Sequence, residues 1–439
     1  MRWRSMNKSI KTFCILIILL FFTLSFAQKI EINLTEFPRW SYGPHGDKFG
    51  WIKEQIKIFE KKHPEVKIKL TELPWEGGIE KRQISVASGN PPDITAYGLN
   101  EIIKPILEGL IEPVDEYLTE FDKKDYYENA LNAFKYQGKI WAFPWLTTGI
   151  MLFINEDLCK QRGVVLPKDG IWTYDEFVDA MKKLTFDKDG DGRIDVYGFG
   201  YYVTPLDQAV WPFIYMDGGR PLSEDMKTYT FDSPQAISGL QKLVDLGLKH
   251  NVVLPGCAAM GPGDIWQAFA KEQRVACAPW GSWAISALRD PKKSAGFKFR
   301  VLHYPVSKKG DKPITFIGAN GFVIFKQKDT KKLKLCVELA KQLTNTENQK
   351  LLIHYASFPT RKSASKIYET DPIMLAAQKI IAYGVIVPPH PEWTKIDDKL
   401  SRQIQLACLG EISAKDALTL PKIEIQRILD RSFMKKNKK

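Results

Sequence analysis

Apolar and polar positions alternate between strand-like and helix-like spacing at the start of the chain. Residues 30–34 alternate as in a half-buried strand, the apolar positions of 49–59 recur at helical spacing, and residues 66–70 alternate again. Strand, helix and strand of these lengths predict a βαβ unit with parallel strands. A helix at 79–87 and a short strand at 93–97 continue the α/β pattern.

Capping signals mark several later helices. Thr173 with Glu176 predicts a capping box, and Ser233 followed by Pro234 predicts a helix start. Gly410 predicts the end of a helix shortly before a new start at a serine. The last third of the chain has a largely helical pattern.

The first residues have the pattern of an export signal. Four basic residues precede an almost unbroken apolar run from Phe13 to Phe26, and Ser25 and Ala27 stand where signal peptidase requires small residues. The run is shorter than the roughly 20 apolar residues of a spanning helix, so we expect cleavage after Ala27 rather than a membrane anchor. Because Cys14 lies inside the run, we expect a soluble periplasmic protein and not a lipoprotein.

The composition is globular and the length fits two domains. Hydrophobic residues make up 44% and aromatic residues 12% of the chain. The net charge of +12 falls to +8 (12 − 4) once the predicted signal is removed. Basic residues are scattered among acids, and the basic tail at 435–439 is expected to be a solvated end. This pattern does not indicate nucleic-acid binding.

Five cysteines follow the predicted cleavage site, so at least one is unpaired in a monomer. None belongs to a C-x-x-C pair, so neither zinc nor redox chemistry is indicated. Cys336 and Cys408 occupy apolar positions of predicted helices and are expected in the core, whereas Cys257 with Cys277 is the preferred disulfide. The remaining cysteine is Cys159.

Six segments resemble, in the same order, segments of the extracellular solute-binding proteins that serve ATP-driven importers, in the branch whose ligands are mostly sugars. The GNPPDI turn at 89–94 is the most recognisable, and Phe153 stands where the family often has tyrosine. The segments are residues 59–66, 89–94, 138–144, 153–158, 359–361 and 410–418.

The resemblance implies a two-lobed α/β fold of the type II periplasmic-binding-protein class, with parallel or mixed sheets, helices on both faces and a helical C-terminal region. It assigns 28–145 and about 313–360 to lobe 1, and 146–312 and about 361–439 to lobe 2. It also implies a ligand cleft, hinge closure and delivery to an ABC transporter permease. We expect a monomer that requires no cofactor.

Aromatic rings that stack on sugar faces are the first candidates for ligand binding. Five tryptophans follow predicted strands or lie in turns, where residues that line a cleft are expected: Trp40, Trp75, Trp145, Trp280 and Trp283. Trp283 is the strongest candidate because the family segment that resembles 278–283 supplies a stacking aromatic. Core packing is the alternative for each tryptophan.

Polar residues that could bind sugar hydroxyls complete the predicted ligand set, namely Glu72, Asp93, Asp217, Asn320 and Arg361. Asn320 belongs to the segment 318–321, which resembles the family's return crossing between lobes. For Asp93 turn capping, and for Arg361 an ion pair, remain open as alternatives.

An acidic loop matches the first part of an EF-hand, with oxygen ligands at alternate positions and glycine at the sixth. The twelfth position should be glutamate but is Gly198, and a predicted strand follows in place of a helix. The loop is therefore not a helix–loop–helix switch. The spacing of its oxygen ligands predicts a structural calcium site, and a solvated acidic turn is the alternative. The predicted ligands are Asp187, Asp189, Asp191, Arg193 through its carbonyl, and Asp195.

The main interpretation is a binding protein for a sugar or oligosaccharide that is not an enzyme. The first alternative is a secreted glycoside hydrolase, which needs two carboxylates about 5–10 Å apart. Because the chain has 51 acidic residues, some pair can always be nominated, so the composition gives this alternative no support. The second alternative keeps the fold but changes the ligand to a phosphorylated polyol, polyamine or peptide. Tryptophan-rich loops favour a sugar, whereas a cleft rich in arginine would favour phosphate.

Overall fold

The computed structural model describes residues 29–40 and 46–436. The predicted signal sequence, Cys14 and the last three residues of the basic tail lie outside these ranges. The described residues divide into two compact units, one within residues 1–94 and 327–339 and the other within 95–326 and 340–439. The bounds expected for the two lobes stay a prediction.

The first unit contains the predicted βαβ arrangement. Its two strands are parallel, with Ile30 opposite Val66 and Glu36 opposite Glu72. Buried Ile32 and Leu34 flank exposed Asn33 in β1, and buried Val66 and Ile68 alternate with exposed lysines in β2, so the period-two pattern identified the core face there. The pattern does not extend to the end of β1, where Thr35 and Glu36 are also buried. The elements are β1 (Ile30–Glu36), α1 (Gly50–Lys62), β2 (Val66–Glu72) and α2 (Gly78–Ala87).

The second unit contains a mixed sheet with the neighbour order β3-β10-β6-β8-β7. The long strand β6 is antiparallel to both β10 and β8, whereas β7 is parallel to β8. This confirms the expected α/β fold with a mixed sheet. Strands β4 and β5 pair with each other in a separate two-stranded sheet. The strands of this unit are β3 (Ile94–Gly98, which begins in the first unit), β4 (Lys135–Tyr136), β5 (Lys139–Ile140), β6 (Phe143–Asn155), β7 (Tyr197–Phe199), β8 (Val275–Gly281), β9 (Phe299–Leu302), β10 (Thr315–Ile324), β11 (Phe358–Pro359) and β12 (Gly384–Val385).

Helices alternate with these strands along the chain and dominate its last third, as the sequence pattern predicts. They are α3 (Leu99–Leu107), α4 (Glu120–Asp125), α5 (Glu128–Ala133), α6 (Glu156–Gln161), α7 (Tyr174–Lys183), α8 (Trp211–Tyr215), α9 (Pro234–Leu248), α10 (Pro262–Trp266), α11 (Ala284–Arg289), α12 (Thr330–Leu343, which begins in the first unit), α13 (Thr346–Lys350), α14 (Pro372–Ile381), α15 (Trp393–Cys408), α16 (Ala414–Thr419) and α17 (Lys422–Lys436).

Local hydrogen bonds confirm the predicted helix starts. The Thr173 hydroxyl accepts from the backbone N–H of Glu176 at 3.3 Å, and the Glu176 carboxylate accepts from that of Thr173 at 2.8 Å. Ser233 caps α9 in the same way by accepting from the Ala236 N–H at 3.3 Å. Gly410 follows α15 with φ +80°, the left-handed conformation that glycine adopts most easily.

The predicted Cys257–Cys277 disulfide is wrong. Both cysteines are buried and free, because Cys277 lies within β8 while Cys257 lies in a separate turn near Cys408. Burial raises the pKa of the Cys257 thiol to about 12, so it is protonated and unreactive at neutral pH. Cys336 and Cys408 are buried, as predicted.

Candidate ligand-binding pocket

A cavity of about 200 Å³ opens in the second unit where two antiparallel strands and three loops meet. Strands β6 and β10 bring Thr148 opposite Gly318. A β-bulge interrupts their pairing between Asn320 and Gly321, and such bulges re-aim neighbouring side chains. Asn320 lines the cavity. The residues around it are Gly98, Leu99, Thr148, Ile150, Tyr202, Leu206, Asp207, Gln208, Gly281, Trp283, Phe316, Ile317, Gly318, Ala319, Asn320, Ile386 and Val387.

Trp283 supplies the indole of this pocket. It follows the end of β8 and is 36% exposed, so part of the ring is available to a ligand. A Cβ atom built on Gly281 would lie 2.2 Å from Trp283 Nε1, so the ring has this position only because residue 281 is glycine. The structure thus brings two predicted ligand residues, Trp283 and Asn320, into one pocket.

Three other tryptophans expected at a ligand site are core residues, and their assignment is corrected. Trp145 and Trp280 are 0% and 2% exposed because they lie inside β6 and β8 rather than beyond the strand ends. Trp40 is 5% exposed and packs on Trp51 of α1 with ring centroids 5.3 Å apart. Buried rings of this kind offer no face to a ligand.

Trp75 is half exposed in the first unit, where it stacks on Phe37 at 4.7 Å between ring centroids. Its indole N–H donates to the Pro38 carbonyl at 3.0 Å, which fixes the ring. In the same unit Glu72 forms a half-exposed ion pair with Lys53 at 2.8 Å. A ligand role for Trp75 and Glu72 stays a prediction.

Two predicted ligand carboxylates are occupied by intramolecular partners. Asp93 accepts from the Asn33 N–H at 2.7 Å and pairs with Lys332 at 2.7 Å, which ties α12 to β1 within the first unit. This role is neither the expected sugar contact nor a turn cap. Burial opposes ionisation of Asp217, but its hydrogen bonds hold its pKa below the ordinary value. Asp217 is bonded, at 2.6, 2.6 and 2.5 Å, to Ser238, Lys242 and Ser307.

Arg361 forms a buried ion-pair cluster and does not line the pocket. Its guanidinium donates to Asp122 at 2.7 Å and to Asp125 at 3.1 Å, and it lies 4.1 Å over the ring of Tyr126. The side chains of Arg361, Asp122 and Asp125 are 4%, 12% and 7% exposed. The ion-pair alternative was therefore correct, and the ligand role is withdrawn.

Sequence reasoning missed the loop after β7, which contributes Tyr202, Asp207 and Gln208 to the pocket. Its sequence signal is weak, because Thr204, Asp207 and Gln208 are scattered among apolar and aromatic residues after a predicted strand. The Asp207 carboxylate accepts from the Tyr202 hydroxyl at 3.0 Å and from the Ala209 N–H at 3.1 Å. Burial raises the pKa of Asp207 to about 6.

A carboxylate from a distant helix holds this loop. Asp397 of α15 is fully buried and accepts a hydrogen bond from the Leu206 N–H. Leu206 has φ +65°, a left-handed conformation that is unfavourable for a residue with a side chain. Burial raises the pKa of Asp397 to about 7. A strained conformation beside a pocket persists only where surrounding contacts enforce it.

The acidic loop brings three predicted calcium ligands together. Carboxylate oxygens of Asp187, Asp189 and Asp195 lie within 4.8 Å of one another. The backbone N–H groups of Gly192 and Gly190 donate to Asp187 and hold its pKa below the ordinary value, so it is ionised at neutral pH. Calcium binding, including the contributions of Asp191 and the Arg193 carbonyl, stays a prediction.

We expect calcium to raise the melting temperature of chelator-treated protein, because a divalent cation relieves repulsion among close carboxylates. Asp187→Asn should abolish this shift. The matched control is Asp225→Asn, in an exposed turn where the carboxylate accepts from the Lys227 N–H at 3.2 Å. Differential scanning fluorimetry and metal analysis measure both effects. An unchanged melting temperature and no bound metal in the wild type would refute the site.

The chain is similar in sequence and in fold to known solute-binding proteins. A sequence profile described as bacterial extracellular solute-binding protein matches residues 54–376. The galactooligosaccharide-binding protein of Bacillus subtilis (strain 168) is 23% identical over 85% of each chain. In the described residues, no helix has the length and apolarity needed to cross a membrane.

Solved structures show the same fold. An ABC substrate-binding protein from Listeria monocytogenes in complex with cycloalternan has a TM-score of 0.76 and 22% identity, covering 92% of this chain and 100% of the other. Maltose-bound MalE3 of T. maritima has a TM-score of 0.76 and 20% identity, covering 91% and 99%.

Proposed function

Since the chain belongs to the family of bacterial extracellular solute-binding proteins, we propose that it captures a sugar or oligosaccharide and delivers it to the permease of an ABC transporter. The observation that carries this proposal is the exposed face of Trp283 beside neutral amides in one pocket. An indole packs on the C–H face of a sugar ring, and amides bind its hydroxyls. The sugar and oligosaccharide ligands of the relatives support the same class.

The charges around the pocket favour a neutral ligand that is bound without conversion. Among the described lining residues there is no lysine or arginine, so a phosphate group would lack a counter-charge there. Asp207 is the one carboxylate among these residues, whereas glycoside hydrolysis uses two. Both features support a binding protein over a hydrolase or a receptor for phosphorylated polyols.

The proposal includes that the protein is exported and acts as a soluble monomer. The family is extracellular, and the expected signal cleavage after Ala27 would release the chain into the periplasm. Closure of two lobes by a hinge and docking of the closed form on the permease follow from the family resemblance.

A glycan panel tests the proposed function. Thermal shift should identify at least one sugar or oligosaccharide that raises the melting temperature, by mass action on the folded state. Chromatography of the same mixtures should recover the ligand unchanged. Conversion of the glycan would indicate a hydrolase. Stabilisation by phosphorylated polyols, polyamines or peptides alone would move the chain to another ligand class.

A further inference from the structure

The amide nitrogen of Gln208 is buried beside the pocket without a hydrogen-bond partner among the described residues. The residue is 9% exposed and lines the cavity, and its Nε2 has no partner among the described residues. A buried polar group that is left unpaired destabilises the folded protein. An unpaired group of this kind is expected beside a pocket when a bound ligand supplies the missing hydrogen-bond partner.

Contacts on both sides hold the Gln208 backbone in place. The Leu206 N–H donates to the buried Asp397, and the Ala209 N–H donates to Asp207 at 3.1 Å. The Tyr304 hydroxyl donates to the Ala209 carbonyl at 2.6 Å. These anchors lie one and two residues from Gln208, so the backbone that carries its side chain is held at the pocket before a ligand arrives.

We propose that Gln208 is a ligand-binding residue that recognises two neighbouring hydroxyls of an uncharged sugar ring. An amide offers a carbonyl acceptor and two N–H donors on one planar group. The amide N–H can donate to the oxygen of one hydroxyl while the adjacent hydroxyl donates to the amide carbonyl, so both sides of the amide are hydrogen-bonded. This inference rests on the proposed function and extends it to the hydroxyl pattern that the pocket selects.

Gln208→Met tests the inference because methionine keeps the length and removes the amide. Affinity for the sugar found in the glycan panel should fall about 10- to 100-fold, as two hydrogen bonds are lost. The melting temperature of the ligand-free protein should stay the same or rise, because no unpaired amide nitrogen remains buried at this position. A purely structural role would lower it.

The matched control is Gln235→Met, the same change at an exposed position of α9 outside the pocket. It should alter neither affinity nor melting temperature. Monodeoxy forms of the sugar give an independent measurement. Wild type should discriminate against deoxygenation at two adjacent positions, whereas Gln208→Met should bind these forms and the parent sugar with similar affinity.

The outcomes separate this inference from the proposed function. Sugar binding by the wild type with unaltered affinity in Gln208→Met would overturn the role of Gln208 and leave the proposed function standing. Equal discrimination among deoxy sugars by both proteins would also overturn it. A wild type that binds no glycan of the panel would overturn both.

Discussion

Arg361→Met is expected to lower the free energy of unfolding by about 3–5 kcal/mol, the usual cost of removing one partner from a buried ion pair. The guanidinium is the cation between the Asp122 and Asp125 carboxylates, and it also donates to the Thr344 carbonyl at 2.7 Å. The substitution leaves two carboxylates largely shielded from water without a counter-charge. Urea unfolding measures the loss.

The pH dependence of this loss has a definite sign. Burial opposes ionisation of Asp122 and Asp125, but hydrogen bonds, including those from Arg361, hold both pKa values below the ordinary value. Carboxylates with a lowered folded pKa stabilise the protein above their unfolded pKa of about 4, and this contribution is lost as the pH falls through the folded pKa. The difference between wild type and Arg361→Met should therefore shrink below about pH 4.

Arg402→Met is the matched control. Arg402 pairs with Asp398 at 3.1 Å on the surface of α15, where its side chain is 72% exposed. Exposed pairs contribute about 0–1 kcal/mol, so this variant should unfold almost like the wild type. Equal stability of Arg361→Met and Arg402→Met would contradict the structural role assigned to the cluster.

Trp283→Ala is expected to weaken sugar binding about 100-fold, in the range of an aromatic anchor removed from a binding site. The indole is the large aromatic surface of the pocket that remains exposed, so its loss removes the stacking contact. The melting temperature of the ligand-free protein should change little, because the ring is 36% exposed and outside the core. Isothermal titration calorimetry measures the affinity.

Two variants test whether the position of the ring matters as well as its presence. Trp283→Phe keeps a smaller flat ring and should retain part of the affinity. Gly281→Ala keeps the indole but adds a Cβ atom only 2.2 Å from its present Nε1 position, so the ring must move and affinity should fall. Unaltered affinity in Trp283→Ala would remove the observation on which the sugar assignment depends.

Predictions from the sequence succeeded where the interactions are local. The capping box at Thr173 depends on bonds across three residues, and the strand predicted from residues 30–34 depends on their period-two alternation. Trp145 and Trp280 were misassigned because a tryptophan near a predicted strand end lies in a loop or in the sheet according to how far the strand extends. Their antiparallel partner strands determine that length.

The pocket depended on contacts that no local pattern contains. The hydrogen bond that holds the Gln208 loop joins Leu206 to Asp397, 191 residues apart. Arg361 and Asp122 are separated by 239 residues. In a single sequence, a charged residue that pairs with a distant residue of the same chain cannot be distinguished from one that binds a ligand.

The sequence by itself determined the α/β class, the order of the first elements, the helical last third and the family, because these follow from periodicity, capping and motif order. Tertiary structure decided which pocket indole remains exposed, which charges are neutralised internally and which pocket amide nitrogen remains unpaired. These properties depend on burial and on contacts between residues distant in the chain, and neither can be determined from the local sequence.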